Sequence, residues 1–418
     1  MTSAYCYTST TSVFPGETID FHASANPAGD LQLEIIRLGI TDTSVYKALV
    51  HVGEWPIPSD AYANGCAWPA ALESFAIPLT WRSGVYLVRF SDASGVLANT
   101  FFVVKGTQPT PAKILYALEV TTASAYNCWG GKSLYDDIPQ GSRRSYKLSF
   151  DRPWTSRPPW FPLGSDSCDG SDGEVWLKGF YHPTFIQWLE SKGFSVDFCT
   201  SIDLHGSPLL VNAYQLVLSV GHDEYWSKEM RDNLELFVAN GGNAAFFSGN
   251  VCWWQIRLEN NCRTVVCYKD PVCPDDVTDP EPDPILKTVY WYENPVLRPE
   301  NRMTGVSSRD GAYSGNVPKV DYVVRAPHHW VFSGTDLADG AGFGKEATII
   351  GYETDAANPA DGTLPNFLTL ADAVLLDEDG WSPLGPGNPN CGCGVTMGIF
   401  RVHAKLTSTD SHRLGAMV

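Results

Sequence analysis

The sequence predicts a multidomain chain: an all-β sandwich over residues 1–105, a linker at 106–112, and an α/β domain over 113–418 with a loop-rich insertion at about 256–320. Three observations carry this expectation. The front alternates apolar and polar residues with period two and shows no helical periodicity, the pattern of half-buried strands. The stretch Gly106–Pro111 holds two prolines, which break both helix and ladder. Beyond it, short apolar runs alternate with helix-periodic ones, an order that calls for right-handed crossovers and an open sheet.

In chain order, Ser12–Glu17 reads as a strand running into a Pro15-Gly16 turn. Thr18–Ala23 and Leu31–Ile35 alternate, Ser83–Phe90 does so again, and Asn99–Val104 closes the set. Lys113–Leu118 is a short apolar strand. His182–Lys192 sets Phe185, Trp188 and Leu189 on one helical face, and Val196–Phe198 is a strand. Leu216–Val220 is apolar almost throughout, as strands buried on both faces of a parallel sheet are. Ser227 reads as the N-cap of a helix whose inner face is Met230, Leu234 and Phe237; Gly241–Asn243 ends it and Ala244–Ser248 is the next strand. Pro271–Pro284 is an acidic, proline-heavy excursion, and Tyr322–Arg325 and Ala347–Tyr352 are later strand candidates.

Composition bounds the function. With 44% hydrophobic and 18% charged residues over 418 positions, the chain has apolar material for two or three cores. The 29 Lys and Arg against 47 Asp and Glu give a net charge of −18, which repels phosphate backbones and anionic lipid. No apolar run approaches the roughly 20 residues of a membrane helix, and the N-terminus lacks a basic segment followed by an apolar stretch. The expectation is a soluble, cytoplasmic protein that binds neither nucleic acid nor membrane. The 11 cysteines are an odd number, so at least one thiol is unpaired within a single chain. Cys391 and Cys393, and the loose group Cys262, Cys267 and Cys273, match no zinc spacing. Buried thiols, or one surface disulfide near Cys262–Cys273, are the simpler readings.

Ligands of open α/β sheets bind beyond the carboxyl ends of the strands, and two such ends are unusual here. Val220–Trp226 places His222, Asp223 and Glu224 between an apolar strand and a helix. An extended backbone would point His222 and Glu224 the same way, an arrangement suited to metal binding or proton transfer. The structural alternative is that Asp223 or Glu224 merely caps the helix. Phe247–Trp254 offers Gly249, which lets the backbone turn and approach a ligand, and Asn250, whose amide can donate to an oxyanion. No nucleophile elbow is present, and Cys252 reads as packing beside two tryptophans. Ala125–Tyr135 carries a Gly-Gly pair without the phosphate-loop spacing. Tyr352–Asp355 alone reads as a solvated turn, and adjacent His328 and His329 point apart on a strand.

Several of these runs resemble those of the N,N-dimethylformamidase large (beta) subunit family. They are Ala125–Tyr135, Ser149–Pro153, Gly221–Ser227, Ser248–Asn250, Val331–Thr335 and Gly351–Asp355, with Ile36–Gly39 and Gly65–Pro69 at the front. The resemblance covers nearly the whole chain; the tail His403–Val418 departs from that family's closing strand. It implies an immunoglobulin-like β-sandwich followed by an α/β glutamine-amidotransferase-like (flavodoxin-like) domain. It also implies an amidohydrolase that cleaves a small N-substituted amide to a carboxylic acid and an amine, at a mononuclear non-haem Fe(III) held by two tyrosines and a glutamate. By motif, Glu224 matches the glutamate, Tyr126 the first tyrosine with Tyr135 its rival, and Tyr146 the second; Trp154, the other position for it, cannot ligate iron. His222, Asn250 and Glu353 match the catalytic pocket. Phenolate and carboxylate oxygens are hard donors that suit Fe(III). A homo-oligomer is expected, and a small subunit is not assumed. Two other classes compete: a non-catalytic ligand- or partner-binding paralogue, and cysteine-dependent amidotransferase chemistry at Cys252.

Overall fold

The computed structural model describes residues 2–156, 168–270, 277–314, 319–375, 382–383, 393–402 and 416–417. Alternation at the front produces β1 (Ser3–Thr8), β2 (Ser12–Val13), β3 (Thr18–Asn26), β4 (Gly29–Arg37), β5 (Thr43–Val52), the short helix α1 (Ala61–Asn64), β6 (Ala70–Ala76), β7 (Gly84–Asp92) and β8 (Gly95–Val104). Strands β1, β3 and β6 pair antiparallel in one sheet, and β2-β8-β7-β4-β5 form a second. Between them lies a core that includes Phe21, Leu33, Ile35, Tyr86, Val88, Phe90 and Phe102.

Strands β7 and β8 of the second sheet are buried on both faces over most of their length, while β5 keeps an exposed outer face. Residues of opposite parity on the same strands, Val85, Leu87, Phe101 and Val103, join Tyr116, Leu118, Trp154 and Trp176 in the core of the following region. Ion pairs rim this contact, with Arg37–Glu190 at 2.8 Å, Arg89–Glu174 at 2.7 Å and Lys105–Asp203 at 2.9 Å. The front is therefore a continuous extension of the body's core despite the proline-rich connection between them.

The body starts at β9 (Ile114–Leu118) and continues through α2 (Val120–Tyr126), β10 (Lys147–Ser149), α3 (Gly173–Gly179), α4 (His182–Ser191), β11 (Val196–Thr200), α5 (Ser201–Gly206) and α6 (Pro208–Val211). Next come β12 (Leu216–His222), β13 (Tyr225–Ser227), α7 (Lys228–Ala239), β14 (Asn243–Gly249), β15 (Trp254–Glu259) and β16 (Thr264–Val266). The last elements are α8 (Asn301–Thr304), β17 (Ala312–Tyr313), β18 (Tyr322–Val324), β19 (Gly342–Phe343), β20 (Leu368–Leu375), β21 (Ser382–Pro383), β22 (Cys393–Phe400) and β23 (Ala416–Met417). A nine-stranded sheet runs β11-β9-β12-β14-β23-β22-β20-β18-β19, parallel from β11 to β23 and antiparallel beyond. The segment expected to be loop-rich contributes β15 and β16, which with β10 and β13 make a four-stranded side sheet.

Two expectations need correction. Ala347–Tyr352 is not a strand: Gly344 turns the chain at φ 98°, residues 345–348 form a turn, and Gly342–Phe343 pairs with Tyr322 and Val323 instead. The disulfide joins Cys128 to Cys168, with Cα atoms 5.4 Å apart, whereas Cys262 is a free thiol. Cys273 and Cys391 lie outside the described residues, as does the side chain of Cys393.

Candidate active site

The carboxyl ends of three neighbouring parallel strands build the site. From β9 the chain enters α2, which is buried along its whole length and delivers Tyr126 at its last position. From β12 it emerges at Gly221, whose φ of 100° is one that side-chain-bearing residues avoid; a Cβ there would stand 2.8 Å from Glu119 Oε1 and 2.9 Å from the Phe180 carbonyl. His222 and Glu224 follow, and the Thr122 hydroxyl of α2 accepts the Glu224 and Tyr225 amides. From β14 the chain turns at Gly249 and Asn250, the latter in the left-handed region at φ 54°. A Cβ on Gly249 would lie 2.4 Å from the Glu353 carbonyl, so glycine is what lets the Glu353 segment close over this strand end.

Into this crevice the structure brings Tyr126, Glu224, His222, Asn250 and Glu353 together. Tyr126 Oη donates to Glu224 Oε2 at 2.7 Å, and His222 Nε2 lies 3.2 Å from both the Tyr126 hydroxyl and Glu224 Oε2 and 3.3 Å from Glu353 Oε2. His222 Nδ1 faces the Gly249 carbonyl at 3.2 Å. Asn250 Nδ2 donates to Glu353 Oε2 at 3.1 Å, while its Oδ1 is buried without a hydrogen-bond partner among the described residues. The capping alternative does not hold: Ser227 Oγ accepts the Met230 amide at the start of α7, which leaves Glu224 to the crevice.

The tyrosine beside Tyr126 is Tyr135. Its hydroxyl donates to Glu224 at 3.0 Å, its ring stacks on Tyr126 at 4.5 Å, and it accepts from Tyr225 Oη at 2.6 Å. Tyr146 is not brought to this cluster. It precedes β10 in the side sheet, stacks on Tyr268 at 4.9 Å and accepts the Val277 amide at 3.3 Å. Trp154 is packed between Phe101 and Trp176.

Two further contributors lie outside the candidate site residues read from the sequence. Lys269, buried and at φ 55° in irregular chain, sets Nζ 3.5 Å from the Tyr135 ring centroid, a cation over an aromatic face. Asp355 accepts the Asn250 and Val251 amides at 2.9 and 3.2 Å and so fixes the turn after β14. The latter was partly visible as the acid following Glu353 by two residues.

Charge in the cluster follows from burial and neighbours. Burial alone would hold His222 neutral, but the Glu353 and Glu224 carboxylates outweigh it and raise its pKa to about 9. Burial raises Glu353 to about 7, opposed by His222 and reinforced by Glu224. Glu224 sits below its ordinary value because His222 and Lys269 outweigh its burial. Burial, then Glu224, pushes both Tyr126 and Tyr135 well above the usual phenol range. Near neutral pH the site holds an imidazolium, a carboxylate and a second carboxyl poised to take or give a proton. Cys252 is fully buried, and burial pushes its thiol far up, the opposite of an activated nucleophile.

Among the described residues, no group of three or more His, Cys, Asp or Glu side chains forms a metal cluster. The donors that converge are phenols around one carboxylate. A cleft of about 840 Å³ lies at the opposite ends of the parallel strands, lined by Tyr214, Gln215, Asn243 and Arg401 among others. It offers room but gathers none of the paired acids and bases found at the carboxyl ends. No helix among the described residues is long and apolar enough to cross a membrane.

Known proteins match along most of this chain. The family described as N,N-dimethylformamidase beta subunit-like, C-terminal, matches residues 35–417. The tail set apart by its sequence thus falls within the match, and Ala416–Met417 fills the gap between β14 and β22. The N,N-dimethylformamidase beta subunit of Alcaligenes sp is 29% identical over 363 residues, covering 74% of this chain and 45% of that protein. That of Paracoccus aminophilus is 28% identical over 261 residues, covering 58% and 32%. This chain spans less than half the length of either relative. A solved Paenibacillus sp. cycloisomaltooligosaccharide glucanotransferase overlaps 30% of this chain and 18% of its own at 20% identity and a TM-score of 0.18, which carries no argument.

Proposed function

The chain belongs to the N,N-dimethylformamidase beta subunit-like family, and from that premise we propose that it hydrolyses small N-substituted amides to a carboxylic acid and an amine. One observation carries the reading: a triad of oxygen donors, Tyr126, Tyr135 and Glu224, abuts an acid–base group of His222, Glu353 and Asn250. The donor set fits a mononuclear non-haem Fe(III). Both phenols already point at Glu224, and their raised proton affinity reflects burial beside an anion, a balance that a cation reverses. Tyr126, Tyr135 and Glu224 would hold the ion, with Tyr135 in the role first expected of Tyr146. Iron, when bound, supplies Lewis-acid polarisation of the amide carbonyl and a more acidic water.

The chain's own groups do the rest. The water oxygen bonds to the carbonyl carbon, Glu353 takes a proton from it and returns one to the departing nitrogen, and the C–N bond breaks. The His222 cation keeps Glu224 ionised and holds Glu353 in place. Asn250 Oδ1, an acceptor without a partner among the described residues, is positioned for an N–H of the amide or for the attacking water.

The same premise supports an immunoglobulin-like front, a glutamine-amidotransferase-like body and work within a homo-oligomer. The Cys128–Cys168 disulfide favours an oxidising setting over the expected cytoplasm. Purified protein grown with iron should carry about one iron per chain, show phenolate-to-iron absorption, and hydrolyse N-alkyl formamides. Hydrolysis that survives Glu224→Ala, or colourless protein after iron-rich growth, would overturn the iron-dependent reading.

A further inference from the structure

The run Ser149–Pro153 supplies no group to the site, yet it holds an unusual side chain. Arg152 is 2% exposed and forms no ion pair among the described residues. Its donors go to backbone carbonyls instead: Nε to Ser149 at 2.9 Å, Nη1 to Trp129 at 2.6 Å and Nη2 to Ser124 at 3.3 Å. An interior cation without an acid beside it is costly to keep, so packing alone does not call for one. What the guanidinium gives is a rigid planar fork whose donors fix three carbonyls relative to one another.

Two of those carbonyls, Ser124 and Trp129, bracket Tyr126 where α2 ends. Asn127 completes the grip. Its Nδ2 donates to the Pro153 carbonyl at 2.9 Å, and its Oδ1 accepts the Trp129 and Thr155 amides at 3.2 and 3.1 Å. The Leu134 amide donates to the Ala125 carbonyl at 2.9 Å, so the same segment also brings Tyr135 back beside Tyr126. The other end of the grip leads to Glu224. Strand β10, which ends at Ser149, pairs with β16, β16 with β15, and β15 with β13, whose first residue Tyr225 follows Glu224. Arg152 therefore joins the segment bearing two phenols to the sheet that carries the carboxylate.

We propose that Arg152 is a positioning residue for the oxygen-donor set, its fork, together with Asn127, setting where Tyr126 and Tyr135 stand relative to Glu224. This rests on the iron-dependent reading, under which those three groups hold the metal. The Cys128–Cys168 disulfide tethers the same segment, so loss of the fork should displace the phenols without releasing them. Arg152→Lys keeps the charge and loses the fork. It should lower iron affinity about 10-fold, as loss of an outer partner of a metal ligand does, and weaken the phenolate-to-iron absorption of the fully loaded protein. Asn127→Ala should act in the same direction, and it carries the test if Arg152→Lys does not fold. A variant that loses stability in urea yet keeps wild-type iron affinity and absorption overturns the proposal, because a merely structural residue would behave that way. Should the wild-type protein take up no iron, the iron-dependent reading fails by itself, and a crystal structure of metal-free Arg152→Lys then decides the grip. Tyr126 Oη drawn away from Glu224 supports it; the 2.7 Å contact retained overturns it.

Discussion

Two stretches of this chain look alike on paper and end in different places. Residues 120–135 and 146–154 are both rich in aromatic side chains, both follow a strand or build one, and both carry a tyrosine of suitable type for a metal. The first leaves the carboxyl end of β9, between β11 and β12 in the parallel part of the large sheet, so α2 and the turn after it project over the crevice. The second builds β10 in the side sheet, and its rings spend themselves on Tyr268, Phe101 and Trp176. Residue type proposes a ligand; the strand end from which the chain departs decides whether it arrives.

The contrast breaks most sharply at Glu224, on which the first stretch converges. Glu224→Gln should lower iron affinity by more than about 100-fold, since losing even an outer partner of a metal ligand costs about 10–100-fold. Metal titration followed by phenolate absorption measures it, and equal affinity would dissolve the distinction between the stretches. Next in size is the tether of the first stretch. The Cys128–Cys168 disulfide closes a separation of 40 residues, so Cys168→Ser should cost about 3–5 kcal/mol in urea unfolding, with reductant abolishing the difference from wild type.

A third effect concerns pH. Glu353 at about 7 and Asp223 at about 7 are raised above their unfolded values, and His222 at about 9 is raised as well. Each keeps its proton in the folded state after the unfolded chain has released it. Stability of metal-free protein should therefore fall as pH rises from about 5 to 9. Glu353→Gln removes one of these groups and weakens the hold on the His222 proton, so its melting temperature should vary less over that range; a steeper decline would contradict the assigned charges. The smallest effect is at Tyr146. Tyr146→Phe loses one weak bond to an exposed amide and should leave iron content unchanged and stability within about 1 kcal/mol. Loss of iron in that variant would restore Tyr146 as a ligand.

How much of this could be read beforehand differs by residue. Val220–Trp226 was conspicuous because an apolar strand ran straight into three ionisable residues, and His222 and Glu224 do share one crevice. Ser227 was legible as a cap from its place before a helix-periodic run. Tyr135 over Tyr146 was not, because both spacings satisfied the chain and only the direction of the turn after α2 separates them. Lys269 was invisible: it belongs to no periodic element and reaches the rings through a left-handed kink. The strand expected at Ala347–Tyr352 failed because its apolar residues lie beyond a glycine turn.

Residue order alone settles local matters: where strands alternate, where helices begin, and which polar residues stand at strand ends without a packing reason, because these follow from neighbours a few positions apart. Which phenols share Glu224, which cysteines join, and the burial of β7 and β8 on both faces emerge only in three dimensions. Those depend on segments tens to hundreds of residues apart meeting in space, where burial and proximity rather than residue type set the charge and the partners of each group.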